Sequence, residues 1–69
     1  MTNREIVEAL VFSCSGVCHV DDIERILPGL GADEIEKIVD DLNRVYESTG
    51  RSFRIQRAAS GYLFATKPE

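Results

Sequence analysis

Residues 31–50 read GADEIEKIVDDLNRVYESTG, the longest stretch of the chain with a clear helical period. Its apolar residues recur at spacings of three, four and seven, which at about 3.6 residues per turn places them in one stripe. The stripe comprises Ile35, Ile38, Val39, Leu42, Val45 and Tyr46. The pattern predicts a long amphipathic helix that begins at Gly31, stops at Gly50 and forms one wall of the core.

The polar side of this helix is strongly acidic. It carries six acidic and two basic residues, a formal charge of −4, at Asp33, Glu34, Glu36, Asp40, Asp41 and Glu47 and at Lys37 and Arg44. Double-stranded DNA is itself densely negative, so a helix of this charge is poorly suited to lie against it. The charge therefore bears on function as well as on fold.

Size and composition indicate one small globular domain. The chain has 69 residues, of which 43% are hydrophobic and 29% charged, and its net charge is −4. A chain of this length buries only about 60% of its unfolded surface, which disfavours a large substrate cleft. No apolar run is long enough to cross a membrane and no signal peptide is seen, so we expect a cytoplasmic protein whose two cysteines are reduced.

An N-terminal helix is predicted over about residues 3–13, capped by Thr2 or Asn3. Its apolar residues go most of the way round the helix: Ile6, Val7, Ala9, Leu10, Val11 and Phe12. A helix that is apolar on nearly every side is either enclosed in its own domain or in contact with a partner. The sequence leaves both possibilities open.

Shorter elements lie between and after the two helices. Ser15 and Gly16 end the first helix, residues 17–20 are extended, and residues 21–27 form a brief helix that stops at Pro28. Residues 53–57 and 62–66 have the alternation and composition of strands and are joined by a turn at 58–61, which predicts a β-hairpin. Pro68 is expected to end its second strand.

This order of helix, short strand, helix, helix and hairpin is the plan of a winged helix. It is an α+β fold of three helices with a C-terminal β-hairpin, the wing, and it accounts for residues 1–69 as a single domain. The long acidic helix takes the position that reads DNA in DNA-binding members of this fold.

DNA binding is therefore the first function to weigh. The acidic helix offers DNA only one lysine, one asparagine and one arginine, Lys37, Asn43 and Arg44. Reading of the major groove by this helix is disfavoured. The wing keeps an alternative open, a transcription regulator in which Arg51, Arg54 and Arg57 contact phosphates. The favoured interpretation is that these arginines form a solvated strand face.

Sites for metals and catalysis are weakly supported. Cys14, Cys18 and His19 form a C-x3-C-H cluster, but a structural zinc site needs four ligands, usually in two pairs, and the chain has no second pair. A thiol or metal sensor is a weak alternative, and we expect neither metal nor cofactor. With one histidine and no glycine-rich phosphate loop, we expect no enzyme and no small-molecule substrate.

With DNA reading, metal binding and catalysis disfavoured, the favoured interpretation is a module that binds other proteins. The first helix and the hairpin carry more apolar residues than one small core needs. Val7, Val11, Tyr62 and Phe64 are the candidates for a protein interface. The alternative that all four are core residues stays open.

Four segments carry a family resemblance: IVEALVFSCSG at 6–16, HVDDIERIL at 19–27, ADEIEKIVDDLNRVYES at 32–48 and ASGYLFATKPE at 59–69. In order and spacing they resemble the N-terminal winged-helix domain of the segregation and condensation protein B family. Residues 8–12 match its E-A-L-L-F-like helix, and residues 61–69 match its G-Y-x-x-x-T-[KR]-P-E hairpin. The chain departs from the family pattern at Val17, His19 and Ser60, where proline, serine and glycine are usual.

The resemblance implies a non-enzymatic subunit of the bacterial complex that a structural-maintenance-of-chromosomes (SMC) ATPase forms with its kleisin. That complex condenses and segregates chromosomes. In the family the N-terminal domain is associated with homodimerisation, and a second winged helix makes much of the kleisin contact. We therefore expect an N-terminal fragment of a two-winged-helix protein that forms a homodimer, binds no membrane and acts at the nucleoid in the cytoplasm.

Overall fold

Helix α1 (Asn3–Ser13) begins with a capping box built from Thr2 and Glu5. The Thr2 hydroxyl accepts a hydrogen bond from the Glu5 amide, and the Glu5 carboxylate accepts one from the Thr2 amide at 3.0 Å. These bonds satisfy amide groups that the first turn leaves free. The bond from the Thr2 amide also holds the pKa of Glu5 below its ordinary value. The computed structural model describes residues 1–66, so the predicted end of the last strand at Pro68 lies outside the described residues.

Two further helices follow, α2 (Val20–Ile26) and α3 (Ala32–Ser48). Gly31 is the N-cap of α3, which confirms the predicted start, and the Glu34 carboxylate accepts a hydrogen bond from its amide. Gly50 lies just beyond the end of α3 with a φ of 71°, a left-handed conformation that glycine adopts without strain. Helix α2 begins at Val20, one residue earlier than predicted, with extended His19 as its N-cap.

Three antiparallel strands form one sheet, in the spatial order β1 (Cys18–His19), β3 (Gly61–Thr66) and β2 (Phe53–Ala58). Strands β2 and β3 are the predicted hairpin, with Ile55 opposite Phe64 and Ala58 opposite Gly61. Strand β1 is the predicted extended piece, and it pairs with the start of β3. Side chains alternate between the two faces of the sheet, so Ile55 and Phe64 share the face that packs on the helices.

The core lies between the three helices and this face of the sheet. Its buried members are Val7, Val11, Cys18, Ile23, Ile35, Val39, Leu42, Tyr46, Ile55 and Tyr62. Four of them, on α3, belong to the apolar stripe that the sequence predicted. The arrangement of three helices with a hairpin confirms the α+β winged helix. Across residues 1–66, no helix is long and apolar enough to span a membrane.

Strand β1 approaches β3 very closely at Gly61. A Cβ atom placed on Gly61 would lie 2.0 Å from the carbonyl oxygen of Cys18. The Val20 amide also donates a hydrogen bond to the Ser60 carbonyl at 3.1 Å, so the wing turn is bound to the start of α2. Glycine is needed at position 61 for space, because any side chain would push the two strands apart.

Candidate interaction surface

An apolar groove of about 420 Å³ opens between α1 and the wing. We call it the aromatic groove; its lining residues are Met1, Glu5, Glu8, Ala9, Phe12, Phe53 and Phe64. The ring of Phe12 packs edge-on against Phe64, with 5.3 Å between centroids, and Phe64 packs edge-on against Phe53 at 5.6 Å. Phe12 nevertheless keeps 75% of its surface exposed. The groove is a surface feature that residues 1–66 leave partly uncovered.

Below the groove, Tyr46 ties α3 to α1. Its ring lies 5.0 Å from Phe53 between centroids, and its hydroxyl donates a hydrogen bond to the Glu8 carboxylate. Burial raises the pKa of Tyr46 well above its ordinary value, and the bond to Glu8 raises it further. The Glu8 side chain is therefore engaged with Tyr46 beneath the groove.

Three of the four predicted interface residues are core residues in this structure. Val7 is 0% exposed, Val11 2% and Tyr62 4%. They are covered by their own domain, so this conformation leaves them no surface to offer a partner. Phe64 is half-buried and lines the aromatic groove, so it is the one of the four that this conformation leaves partly accessible, and its place in an interface stays a prediction.

Phe12 is exposed and lines the aromatic groove, and the sequence did not single it out. A helix that is apolar all round gives no periodic signal for its outward side, so the burial of Val7 and Val11 and the exposure of Phe12 had to be read from the fold. The one remaining clue to the exposure of Phe12 was its position near the end of the helix. Phe12 lies in the last turn of α1, two residues before its C-cap at Cys14.

The wing arginines lie against the acidic helix. Arg57 forms an ion pair with Glu36 at 3.1 Å, which links the wing to α3. Arg54 borders a shallow cleft along α3, which Asp40, Asn43, Arg44 and Glu47 also line. The positive charge of Arg51 acts on Tyr46, where it lowers the pKa of the hydroxyl but is outweighed by burial and by Glu8. A phosphate approaching Arg54 or Arg57 would also meet the carboxylates of α3.

Helix α3 also uses its own polar groups internally. The Asn43 amide donates a hydrogen bond to the Ile55 carbonyl at 2.9 Å and accepts one from the Ile55 amide at 2.8 Å. Arg44 pairs with Asp41 at 3.0 Å. Two of the three side chains that the sequence offered to DNA are thus engaged within the chain. The Asn43 bonds also occupy the outer edge of β2 at Ile55.

The cysteines and the histidine do not converge on one point. Cys18 is buried, and its pKa is raised from 9.0 to about 12, first by burial and then by a hydrogen bond with Cys14. The Nδ1 atom of His19 lies 2.8 Å from the Ser60 hydroxyl, where it joins α2 to the wing turn. No group of three potential metal ligands occurs anywhere in residues 1–66.

The chain is similar to known proteins over nearly its whole length. Residues 5–69 match the model of a family described as "Segregation and condensation complex subunit ScpB". A solved structure, described as the crystal structure of a conserved hypothetical protein from Chlorobium tepidum, is 39% identical with a TM-score of 0.90. The match covers 96% of this chain and 41% of that one. No match was found among curated protein sequences.

Proposed function

The chain belongs to the ScpB family of segregation and condensation complex subunits, and on that premise we propose that it acts by protein–protein association and not by catalysis. It has the winged-helix fold but not the electrostatics of a DNA reader. The helix in the reading position carries a formal charge of −4, and Arg57 of the wing is paired with Glu36. A protein surface is the better-matched target.

The association that we propose is first of all with a second copy of the chain. The supporting observation is the aromatic groove, where Phe12 is 75% exposed although it contacts the ring of Phe64. An exposed ring that borders an apolar hollow is an unusual feature for a solvated surface and is typical of interfaces. A homodimer would cover it.

The further partners in this proposal are the kleisin subunit and, through it, the SMC ATPase, in the bacterial cytoplasm at the nucleoid. No catalytic step is assigned to any residue of the chain. Its contribution to the complex is to hold other subunits together, so its activity is measured as binding.

Sedimentation equilibrium over a range of concentrations tests the self-association. We expect the fitted mass to rise from one copy towards two copies as the concentration increases. A chain that stays monomeric at high micromolar concentration contradicts the proposal. Titration with the cognate kleisin, followed by calorimetry, tests the second association in the same buffer.

DNA titration tests the alternative function of a transcription regulator. At about 50 mM salt, phosphate contacts by lysine and arginine are strong, and affinity falls steeply as salt is added. We expect no salt-sensitive binding to duplex DNA. Salt-sensitive binding that is lost in Arg54→Ala would replace the proposed function with the wing-based regulator.

A further inference from the structure

We propose that Cys14 and Cys18 form a redox-sensitive pair, in which a peroxide converts the two thiols into an intramolecular disulfide that fastens the end of α1 to β1. The inference does not depend on the partners proposed above, because it concerns two side chains in contact within one chain. It rests on that contact, on the short turn between the two residues and on the difference in their exposure.

The two thiols lie against each other at the edge of the core. Cys14 is the C-cap of α1, and Cys18 begins β1, where it lies opposite Tyr62. Both cysteines are free; Cys18 belongs to the buried core and Cys14 packs against that core. A hydrogen bond joins their side chains. A disulfide needs Cβ atoms within about 4.5 Å of each other, and two thiols in hydrogen-bond contact reach that geometry by small side-chain rotations.

The turn between the cysteines brings them together. Cys14 leaves α1 with an extended backbone, and Gly16 has a φ of 102°, a left-handed conformation that lets residues 15–17 turn back within a short distance. The disulfide would close a loop over residues 14–18. Because the stabilisation from a disulfide grows with the length of its loop, so short a loop restrains the unfolded chain little. The pair is therefore better suited to respond to oxidants than to act as a permanent structural link.

Exposure gives the two sulfurs different roles. Cys18 is 2% exposed, and burial, followed by its hydrogen bond with Cys14, raises its pKa to about 12, so it stays a thiol near neutral pH. Cys14 is half-buried, so its sulfur is the one that an oxidant in solution can reach. Cys14 is therefore the residue that is oxidised first, and Cys18 is the residue that forms the disulfide with it.

The reaction balances with one molecule of peroxide for each disulfide. The Cys14 sulfur attacks the peroxide, the O–O bond breaks, and a sulfenic acid forms on Cys14 with release of water or an alcohol. The Cys18 sulfur then attacks the Cys14 sulfur, so the S–S bond forms and the S–O bond breaks. The departing hydroxide takes the proton of the Cys18 thiol and leaves as water. The two sulfurs lose two electrons in total and the peroxide gains them. A dithiol reductant reverses the change by thiol–disulfide exchange.

The disulfide would hold the last turn of α1 in place. The Cys14 amide donates a hydrogen bond to the Leu10 carbonyl at 3.2 Å, which closes this turn. Fastening Cys14 to β1 also connects the turn to β3, with which β1 pairs. Phe12 lies in the same turn and lines the aromatic groove, so oxidation would make this wall of the groove more rigid.

Peroxide treatment of the reduced chain, followed by alkylation in denaturant and mass spectrometry, is the first test. We expect the wild type to lose both alkylation sites together and to become lighter by two hydrogen atoms, as a disulfide within one chain. Cys18→Ala should lose only the Cys14 site and give a sulfenic acid that dimedone traps. Cys14→Ala is the matched control and should keep its Cys18 site, because that thiol is buried.

Comparison of the folded chain with the chain in urea is the second test, and it separates a contact built by the fold from mere closeness in sequence. In a glutathione redox buffer, we expect the equilibrium constant for disulfide formation to be at least about tenfold larger in the folded chain, because the fold holds the thiols together before they react. Amide hydrogen exchange at Cys14 should then be slower in the oxidised chain by at least about threefold, because the end of α1 opens less often.

The outcomes decide the proposal. A disulfide within one chain that is favoured by the fold and slows exchange at Cys14 supports it. Oxidation of Cys14 to a sulfinic acid without a disulfide overturns it, as do disulfides that form only between separate chains. A disulfide that is no more favoured in the folded chain than in urea shows that the fold does not build the pair. Unchanged exchange at Cys14 after oxidation shows that α1 is not fastened, which also contradicts the proposal.

Discussion

The Tyr46 hydroxyl donates a hydrogen bond to the Glu8 carboxylate and so joins α3 to α1 beneath the aromatic groove. The two residues are 38 positions apart in the chain. Their contact is one of the points that hold α1 against the core, together with the buried side chains of Val7 and Val11. A carboxylate that accepts from a buried hydroxyl makes a stronger bond than two neutral groups do.

Removing this hydroxyl should destabilise the fold. We expect Tyr46→Phe to lower the free energy of unfolding by about 2 kcal/mol, because a hydrogen bond to a charged group is lost and Glu8 stays half-buried. Urea denaturation at neutral pH measures the change. Tyr62→Phe is the control: Tyr62 is also buried, but no hydrogen bond from its hydroxyl is seen among residues 1–66, so its change should be smaller.

Alkaline pH should also destabilise the chain. Burial raises the pKa of Tyr46 and of Tyr62 above 10.0, and raises that of Cys18 from 9.0 to about 12. Each raised pKa favours the neutral form in the folded state, so each contribution to stability is complete below the unfolded pKa and is lost as pH rises through the folded pKa.

We therefore expect the free energy of unfolding to fall steadily above about pH 9, where the unfolded thiol begins to ionise. Tyrosinate absorbance measured alongside circular dichroism is the check. In the folded chain it should appear at higher pH than in urea, and it should rise together with unfolding. Tyrosines that ionise near pH 10 without loss of structure would contradict the shifted pKa values.

Asn43 should be replaceable only by a residue that both donates and accepts. Asn43→Asp removes the donor to the Ile55 carbonyl and sets a negative charge beside it, so we expect a loss of about 2 kcal/mol at neutral pH. Protonation restores a donor, so we expect the pKa of the introduced carboxyl to lie above its ordinary value. Its deficit relative to the wild type should shrink as pH falls below its folded pKa.

The pH dependence is measured by chemical denaturation of the wild type and the variant at pH 7 and pH 4. Asn43→Leu is the matched control, because it removes both hydrogen bonds and introduces no ionisable group. Its deficit should be the same at both values. If Asn43→Asp and Asn43→Leu respond alike to pH, the proposed donor role of Asn43 is wrong.

Gly61 and Gly50 should respond differently to substitution. Gly61→Ala places a Cβ atom against the Cys18 carbonyl, so strands β1 and β3 must separate, and we expect a loss of about 3 kcal/mol or more. Gly50→Ala meets open space and costs only the strain of its left-handed backbone, about 1 kcal/mol. Thermal denaturation should rank the two variants in that order, and the reverse order would contradict the close approach of β1.

Much of this fold follows from local patterns. The 3.6-residue period of α3, the glycines at its ends and the alternation in the wing predict elements that the structure confirms within one or two residues. Local patterns do not carry pairings between distant residues. The bond from Tyr46 to Glu8, the Asn43 bridge to Ile55 and the ion pair of Arg57 with Glu36 all depend on how the elements pack.

The candidate surface was harder to predict for a related reason. On α3, acidic residues mark the solvent side, so the buried side is evident. On α1, nearly every side is apolar, and the sequence gives no contrast between Val11, which is 2% exposed, and Phe12, which is 75% exposed. The location of the groove emerges only when the wing supplies Phe53 and Phe64 beside α1.

The two hydrogen bonds between Asn43 and Ile55 also bear on how many copies can assemble. A sheet with a free outer strand accepts a strand from another chain, which exposes a new edge in turn, and such growth leads to fibres of indefinite length. In this chain one amide side chain takes up the outward-facing N–H and C=O groups of Ile55, at the middle of β2. We infer that Asn43 thereby hinders a second chain from pairing along the middle of β2, which disfavours open-ended growth through this edge.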